Sequence, residues 1–163
     1  MVSTAAPLEL QSSLLERWRS LSLLPLGRAL FAQAVGRAMP YAATITPEVL
    51  DLDVGRARVR LDDRQRVRNH LGSIHSAALV NLGELCANLA LTAAMPEGAR
   101  FVVEGIGIAF AKKARGPIEA RCELPPLDWS CERRVPGAAV LTDRAGEEVA
   151  RVTVDFWIVP APG

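Results

Sequence analysis

The feature that most constrains this chain is a stretch of 22 residues, Ile74 to Met95, that carries one formal charge, Glu84, near its middle. A lone carboxylate in so apolar a segment must be paired, protonated or used, because burying it uncompensated is expensive. As a helix the stretch is long enough to cross about 30 Å of hydrocarbon. Against that, it contains Asn81, Glu84, Asn88 and Thr92, is rich in alanine, and lacks interfacial aromatics or basic flanks. A helix buried on nearly every side of a soluble fold has the same texture. The expectation is a core helix, with no membrane span. Ser73 or Ser76 suits its N-cap, and Pro96-Glu97-Gly98 ends it. Ala77, Asn81, Glu84, Asn88 and Thr92 fall on one stripe of that helix, so one face must meet something other than hydrocarbon.

The rest of the chain supplies what surrounds this helix. With 163 residues, half of them hydrophobic and 23% charged, a single domain with a proper core is expected. A net charge of +1 argues against bulk binding to nucleic acid or to an anionic membrane surface. Cys86, Cys122 and Cys131 form no CxxC pair and read as reduced thiols. The first residues carry no basic run followed by an apolar one, so a cytoplasmic protein is expected.

Residues 12–39 read as a helical lead broken near Pro25. Leu14, Leu15, Trp18 and Leu21 form one apolar stripe, and Leu26, Leu30, Phe31, Ala34 and Val35 form another. Tyr41 to Ile45 reads as a short strand. After the turn at Asp53-Val54-Gly55, Arg56, Arg58 and Arg60 alternate with Ala57, Val59 and Leu61, which is a strand with one solvated face or one able to meet phosphate. Beyond the long helix, Phe101 to Lys112, Ile118 to Leu124, Ala138 to Thr142 and Ala150 to Ile158 read as strands, the last two joined as a hairpin at Asp143-Arg144-Ala145-Gly146. Gly105 and Gly107 sit on a small-residue face that would let the long helix approach closely. Few helices and short turns favour an antiparallel sheet wrapped around the one buried helix.

That order, with Asn69-x5-His75-x8-Glu84 at the start of the helix, resembles the hotdog-fold thioesterases over roughly residues 40–159. Within them, Arg68-Asn69-His70-Leu71-Gly72-Ser73-Ile74-His75 and Lys113-Ala114-Arg115-Gly116 look like an uncharacterised hotdog family. In the characterised thioesterases an Asn is followed six residues later by His-Gly-Gly and nine residues after that His by Asp or Glu, and both spacings recur here. Ser76-Ala77 replaces the two glycines with other small residues. The resemblance implies an α+β hotdog fold with an antiparallel sheet of five to six strands. Residues 1–39 would be a helical extension and residues 40–163 the hotdog domain. The assembly would be a homodimer or a dimer of dimers, with Glu84 of one subunit facing the Asn69–Ser76 loop of the other.

The chemistry that follows is hydrolysis of an acyl-CoA-like thioester without a cofactor or metal. Glu84 would activate water or attack the carbonyl directly. The first backbone N–H groups of the helix, Ser76 foremost, would stabilise the oxyanion. Asn69 would orient water or carbonyl, and His75 would fix the loop or touch substrate. Gly72, Arg68, Lys113 and Arg115, with Lys112 and Arg66 nearby, would bind the coenzyme A portion. Each residue also has an ordinary reading: Glu84 as a structural carboxylate bonded to Asn81, Asn88 or a strand, Asn69 as a turn residue, and the basic residues as solvated surface. Two other functions stay open. One is a non-enzymatic acyl-CoA or lipid-binding module. The other is a hydroxyacyl-thioester dehydratase pairing His70 with Glu84 fourteen residues on, although the Phe-Pro that follows the histidine in those enzymes is replaced by Leu71-Gly72. There is no GxSxG elbow and no Walker loop.

Overall fold

The structure is a computed structural model and describes residues 14–162. The start of the leading helix at Ser12 and the character of the first residues therefore lie outside the described region.

The lead forms three helices: α1 (Leu14–Leu21), α2 (Gly27–Ala38) and α3 (Pro40–Ala43). The expected break falls between the first two, around Pro25. Gly27 is required there, since a Cβ at this position would lie 1.6 Å from the Leu21 carbonyl oxygen. Leu14 and Trp18 of α1 and Phe31 and Val35 of α2 are buried in the same core as the sheet. Trp18 meets Phe31 edge-to-face, with ring centroids 5.1 Å apart.

The Tyr41–Ile45 segment is helical at its start rather than a strand. Pro40 occupies the first helical turn, where its missing N–H costs nothing. Thr44 then closes the turn, its backbone N–H and its hydroxyl both donating to the Tyr41 carbonyl at 3.0 and 2.6 Å. The first strand consequently starts later.

Six strands follow: β1 (Glu48–Asp53), β2 (Arg56–Leu61), β3 (Arg100–Phe110), β4 (Ile118–Glu123), β5 (Arg133–Thr142) and β6 (Glu148–Val159). They form one antiparallel sheet in the order β1-β2-β4-β5-β6-β3. The long helix α4 (Ser76–Ala94) lies across its inner face, mainly on β2, β4, β5 and β6. Leu82, Leu89, Val59, Ile118, Leu141 and Phe156 are at most 1% exposed, and each such side chain contributes about 1.5–3 kcal/mol of burial. α4 is long and apolar enough to cross a membrane, but 67% of its most apolar 18-residue stretch is buried inside the protein.

The glycine at which helix and sheet come together is Gly83, and not those of β3. A Cβ on Gly83 would lie 2.5 Å from both Cβ and Cγ2 of Val152 in β6. The β3 glycines instead face outward side chains of β6, with Gly107 opposite Thr153 and Gly105 opposite Asp155. A bulge between Val103 and Gly105 explains the difference. One extra residue reverses the alternation, so Ile106, Ile108 and Phe110 join Phe101 and Val103 on the inner face. β3 is an edge strand, and Ile106 and Phe110 remain 42% and 57% exposed because α4 does not reach over them.

The arginine face of β2 is solvated and matched by carboxylates. Arg58 pairs with Glu119, Arg60 with Glu48 and Asp62, and Arg56 with Asp51 and Asp53.

Candidate active site

The loop before α4 is built by Asn69. Its Oδ1 accepts from the N–H groups of Leu71 (2.9 Å) and Ser73 (3.2 Å), while its own N–H donates to the Ser73 carbonyl (2.8 Å). This self-closing turn leaves Gly72 at φ +70°, exposed, with open space around its Cα. His70 and Leu71 are exposed at its tip.

Two fastenings hold the loop to the segment after β3. The Ile74 N–H donates to the Ala114 carbonyl at 2.9 Å. Asp63 receives Arg68 Nε at 2.6 Å on one oxygen and the Gly116 N–H at 2.8 Å on the other. The Arg68 guanidinium holds the Asp63 carboxyl below the usual carboxylate range, against a smaller opposing effect of desolvation and with help from the Gly116 N–H. Lys113 and Arg115 flank Ala114 and are exposed beside this junction. Arg68 is thus shared with Asp63, and Lys112 is committed to Asp143 and Glu147.

The N-cap of α4 is His75. Its Nδ1 accepts from the Ala77 N–H at 3.0 Å, which fixes the ring against the first turn. Ser76 is the first helical residue, and its N–H is among the four that a helix leaves without an intrahelical acceptor. A groove of about 420 Å³ opens at this end, with Arg66, His75, Ala77, Tyr41 and Asn81 on its walls.

Further along α4 the polar stripe divides by partner. Asn81, 5% exposed, donates its amide to the Tyr41 carbonyl at 3.1 Å and so clamps α3 onto the helix. Glu84 and Asn88 are half-buried one turn apart and line a cavity of about 210 Å³, whose opposite wall is Met39–Ala42. Asn88 Oδ1 is buried without a hydrogen-bond partner among the described residues. One of the two N–H donors of the Asn81 amide is taken by the Tyr41 carbonyl of α3.

Within one subunit these two centres are separate. Eight residues divide Ser76 from Glu84, and at the helical rise of 1.5 Å per residue that is about 12 Å along the axis. Asn69, His75 and Ser76 therefore cluster at one end, and Glu84 with Asn88 lies two turns away. His70 is not part of the wall around Glu84. Met39 and Tyr41, which wall the cavity opposite Glu84, carry no site signal in the sequence; the β-prone neighbours of Tyr41 hide its helical turn.

A six-stranded antiparallel sheet wrapped around one long helix, with a polar face of that helix turned away from the sheet, defines a hotdog-fold protein. Structures of the hotdog thioesterase family are its likenesses. More narrowly, residues 27–158 match the family described as Domain of unknown function (DUF4442), and the chain belongs to that family. A structural-genomics protein, APC5556, is 27% identical, with a TM-score of 0.77 over 89% of this chain and 96% of its own. A protein of unknown function from Pseudomonas aeruginosa, described as a probable thioesterase, is 21% identical, with a TM-score of 0.71 over 83% of this chain and 96% of its own. A thioesterase from Haemophilus influenzae is 14% identical, with a TM-score of 0.66 over 76% of this chain and 85% of its own. At 21% and 14% identity the last two are likenesses of fold. No curated protein matches the sequence.

Proposed function

We propose that this protein is a cytoplasmic acyl-CoA thioesterase that works as a homodimer or a dimer of dimers. In each active site Glu84 of one subunit would meet the α4 N-terminus of another. The observation that carries the reading is the half-buried Glu84 on the wall of a cavity that it shares with Asn88. Glu84 activates water or attacks the thioester carbonyl. The Ser76 N–H and the positive end of the helix dipole receive the oxyanion. Asn69 shapes the loop that presents that N–H, and His75 holds the first turn in register. Gly72, Arg68, Lys113 and Arg115 take the coenzyme A portion, the last two from the exposed surface beside the loop. The helices of residues 1–39 are an extension of the hotdog domain that begins at residue 40.

Two features support the second subunit. The helix N-terminus and Glu84 are too far apart in one chain to act on the same carbonyl, since reacting groups must approach to about 3–3.5 Å. Edge strand β3 also offers unpaired backbone and uncovered apolar residues, Ile106 and Phe110, to another copy.

The test uses two variants. Glu84→Ala removes the carboxylate. Ser76→Pro removes only the proposed oxyanion donor, because proline is tolerated at the first helical position. His75, at φ −65° and ψ 141°, already has the conformation that a residue before proline needs. Each variant is expected to lose thiol release from acyl-CoA substrates by at least about 100-fold. Co-expressed as mixed dimers, they should regain about a quarter of wild-type activity, since half the dimers are mixed and one of their two sites is intact. Absence of recovery would overturn the two-subunit site. Wild-type binding of acyl-CoA without hydrolysis across a broad panel would make the protein a binding module instead.

A further inference from the structure

We infer that the segment Met39–Ala42 is the wall that decides which acyl group is admitted beside Glu84. This deepens the thioesterase reading and rests on it. The segment joins the helical lead to the first strand, and it faces Asn81, Glu84, Leu85 and Asn88 across the cavity.

Three observations give the wall its function. It is fixed to the helix that carries Glu84: the buried Asn81 amide donates to the Tyr41 carbonyl, which also receives the Thr44 hydroxyl. The gap between wall and carboxylate is therefore set by hydrogen bonds rather than by a mobile loop. The space is small, about 210 Å³, and open on one side, whereas a dry cavity of about 150 Å³ holds one benzene. A compact acyl group fits between wall and carboxylate, and a longer chain must extend past the wall. Finally, Tyr41 and Asn81 line both this cavity and the groove at the α4 N-terminus. Tyr41 thus stands at the partition between the two spaces. Met39, half-buried and flexible, closes the same side and is the residue whose truncation deepens the cavity without touching the partition.

The expected behaviour follows. Wild type favours compact acyl groups and loses efficiency with chain length. Tyr41→Ala opens the partition and lets a longer chain run into the neighbouring groove. Met39→Ala lengthens the preferred chain by a smaller step. One or two methylenes of pocket depth change discrimination by about 10-fold or more.

The experiment measures thiol release from acyl-CoAs of two to sixteen carbons for wild type, Met39→Ala and Tyr41→Ala. In parallel, calorimetry measures binding of the matching non-hydrolysable acyl-CoA thioethers. Tyr41 is 71% exposed, so its truncation leaves the core intact. A shift of the kcat/KM and affinity profiles toward longer chains by about 10-fold supports the wall. Profiles of both variants that overlay wild type in both assays overturn it. Wall-dependent binding with no hydrolysis by wild type supports the wall while refuting the thioesterase reading, which keeps the two failures apart.

Discussion

Gly83 is where α4 is seated on the sheet, and replacing it by alanine sets two effects against each other. In an exposed helix the change would stabilise by about 1 kcal/mol, because alanine is the better helix former. Here the new Cβ would lie 2.5 Å from Cβ and Cγ2 of Val152 and 2.9 Å from Cγ1, well inside van der Waals contact. Val152 is fully buried in β6, between β5 and β3, and cannot rotate out of the way. Even Val152→Ala would leave the Cβ contact in place. Overpacking of this kind costs about 1–3 kcal/mol, and three short contacts belong at the upper end. Setting about 3 against about 1 leaves a net loss of about 2 kcal/mol. For a domain of this size that lowers Tm by about 4–8 °C. The cheaper relief is for the helix to lift away from β6, which would carry Glu84, the next residue, with it. In the proposed thioesterase reading Glu84 is a reacting group, and its misplacement by about 1 Å would cost on the order of 100-fold in rate. Urea unfolding of Gly83→Ala, with thiol release measured alongside, checks both parts. An unchanged or raised unfolding midpoint would refute the claim that Gly83 is fixed by close approach rather than by chance.

Two further outcomes are expected. The lowered pKa of Asp63 means that its contribution to stability is fully present above the ordinary carboxylate value of 3.8 and is lost as pH falls through its lower folded value. Asp63→Asn should therefore flatten the acid end of the stability profile below about pH 4 and speed amide exchange over residues 69–76, with wild-type exchange there counting against the fastening. Among the thiols, burial pushes Cys122 up to about 11 and Cys86 higher still, and the single Cys86 S–H has the Ala57 and Ala120 carbonyl oxygens, each 3.4 Å from its sulfur, as alternative acceptors. An aromatic disulfide reagent at pH 8 should label Cys131 alone in the folded protein and all three cysteines in guanidinium; rapid labelling of a second thiol would contradict the packing of α4 on the sheet.

Much of the fold was legible because burial on both sides leaves a plain trace in sequence. The long apolar helix, its lone carboxylate and the clean alternation of β2 needed no tertiary information. The readings that slipped depend on single residues with three-dimensional consequences. Tyr41 to Ile45 has strand-like side chains, but Pro40 before it and the Thr44 hydroxyl after it favour one helical turn. In β3 the residue pattern alternates straight through Glu104, and only the register against β6 reveals the bulge that reverses it. Likewise, the small residues at positions 105 and 107 suggest a close approach of the helix that the structure does not show. A Cβ on Gly107 would lie 2.8 Å from the Thr153 hydroxyl and one on Gly105 an ordinary 3.5 Å from the Asp155 carboxylate, while the helix finds its own glycine.

The candidate site rests in the sequence on spacing and not on geometry. A six-and-nine pattern of Asn69, His75 and Glu84 treats positions along the chain as if they converged. A helix does the opposite, since it sends Ser76 and Glu84 apart by about 12 Å. The same helix assigns its faces by need: Gly83 and Cys86 to the sheet, Asn81 to the Tyr41 carbonyl, and Glu84 with Asn88 to the cavity. Of the polar stripe, then, the part already satisfied by the fold is structural, and the part left facing open space is where chemistry can occur. In the proposed reading that division also fixes the assembly. A carboxylate without its oxyanion donors, and donors without a carboxylate, complete each other only when a second copy brings the opposite end of its helix. The uncovered apolar residues of edge strand β3 are what would hold that copy in place.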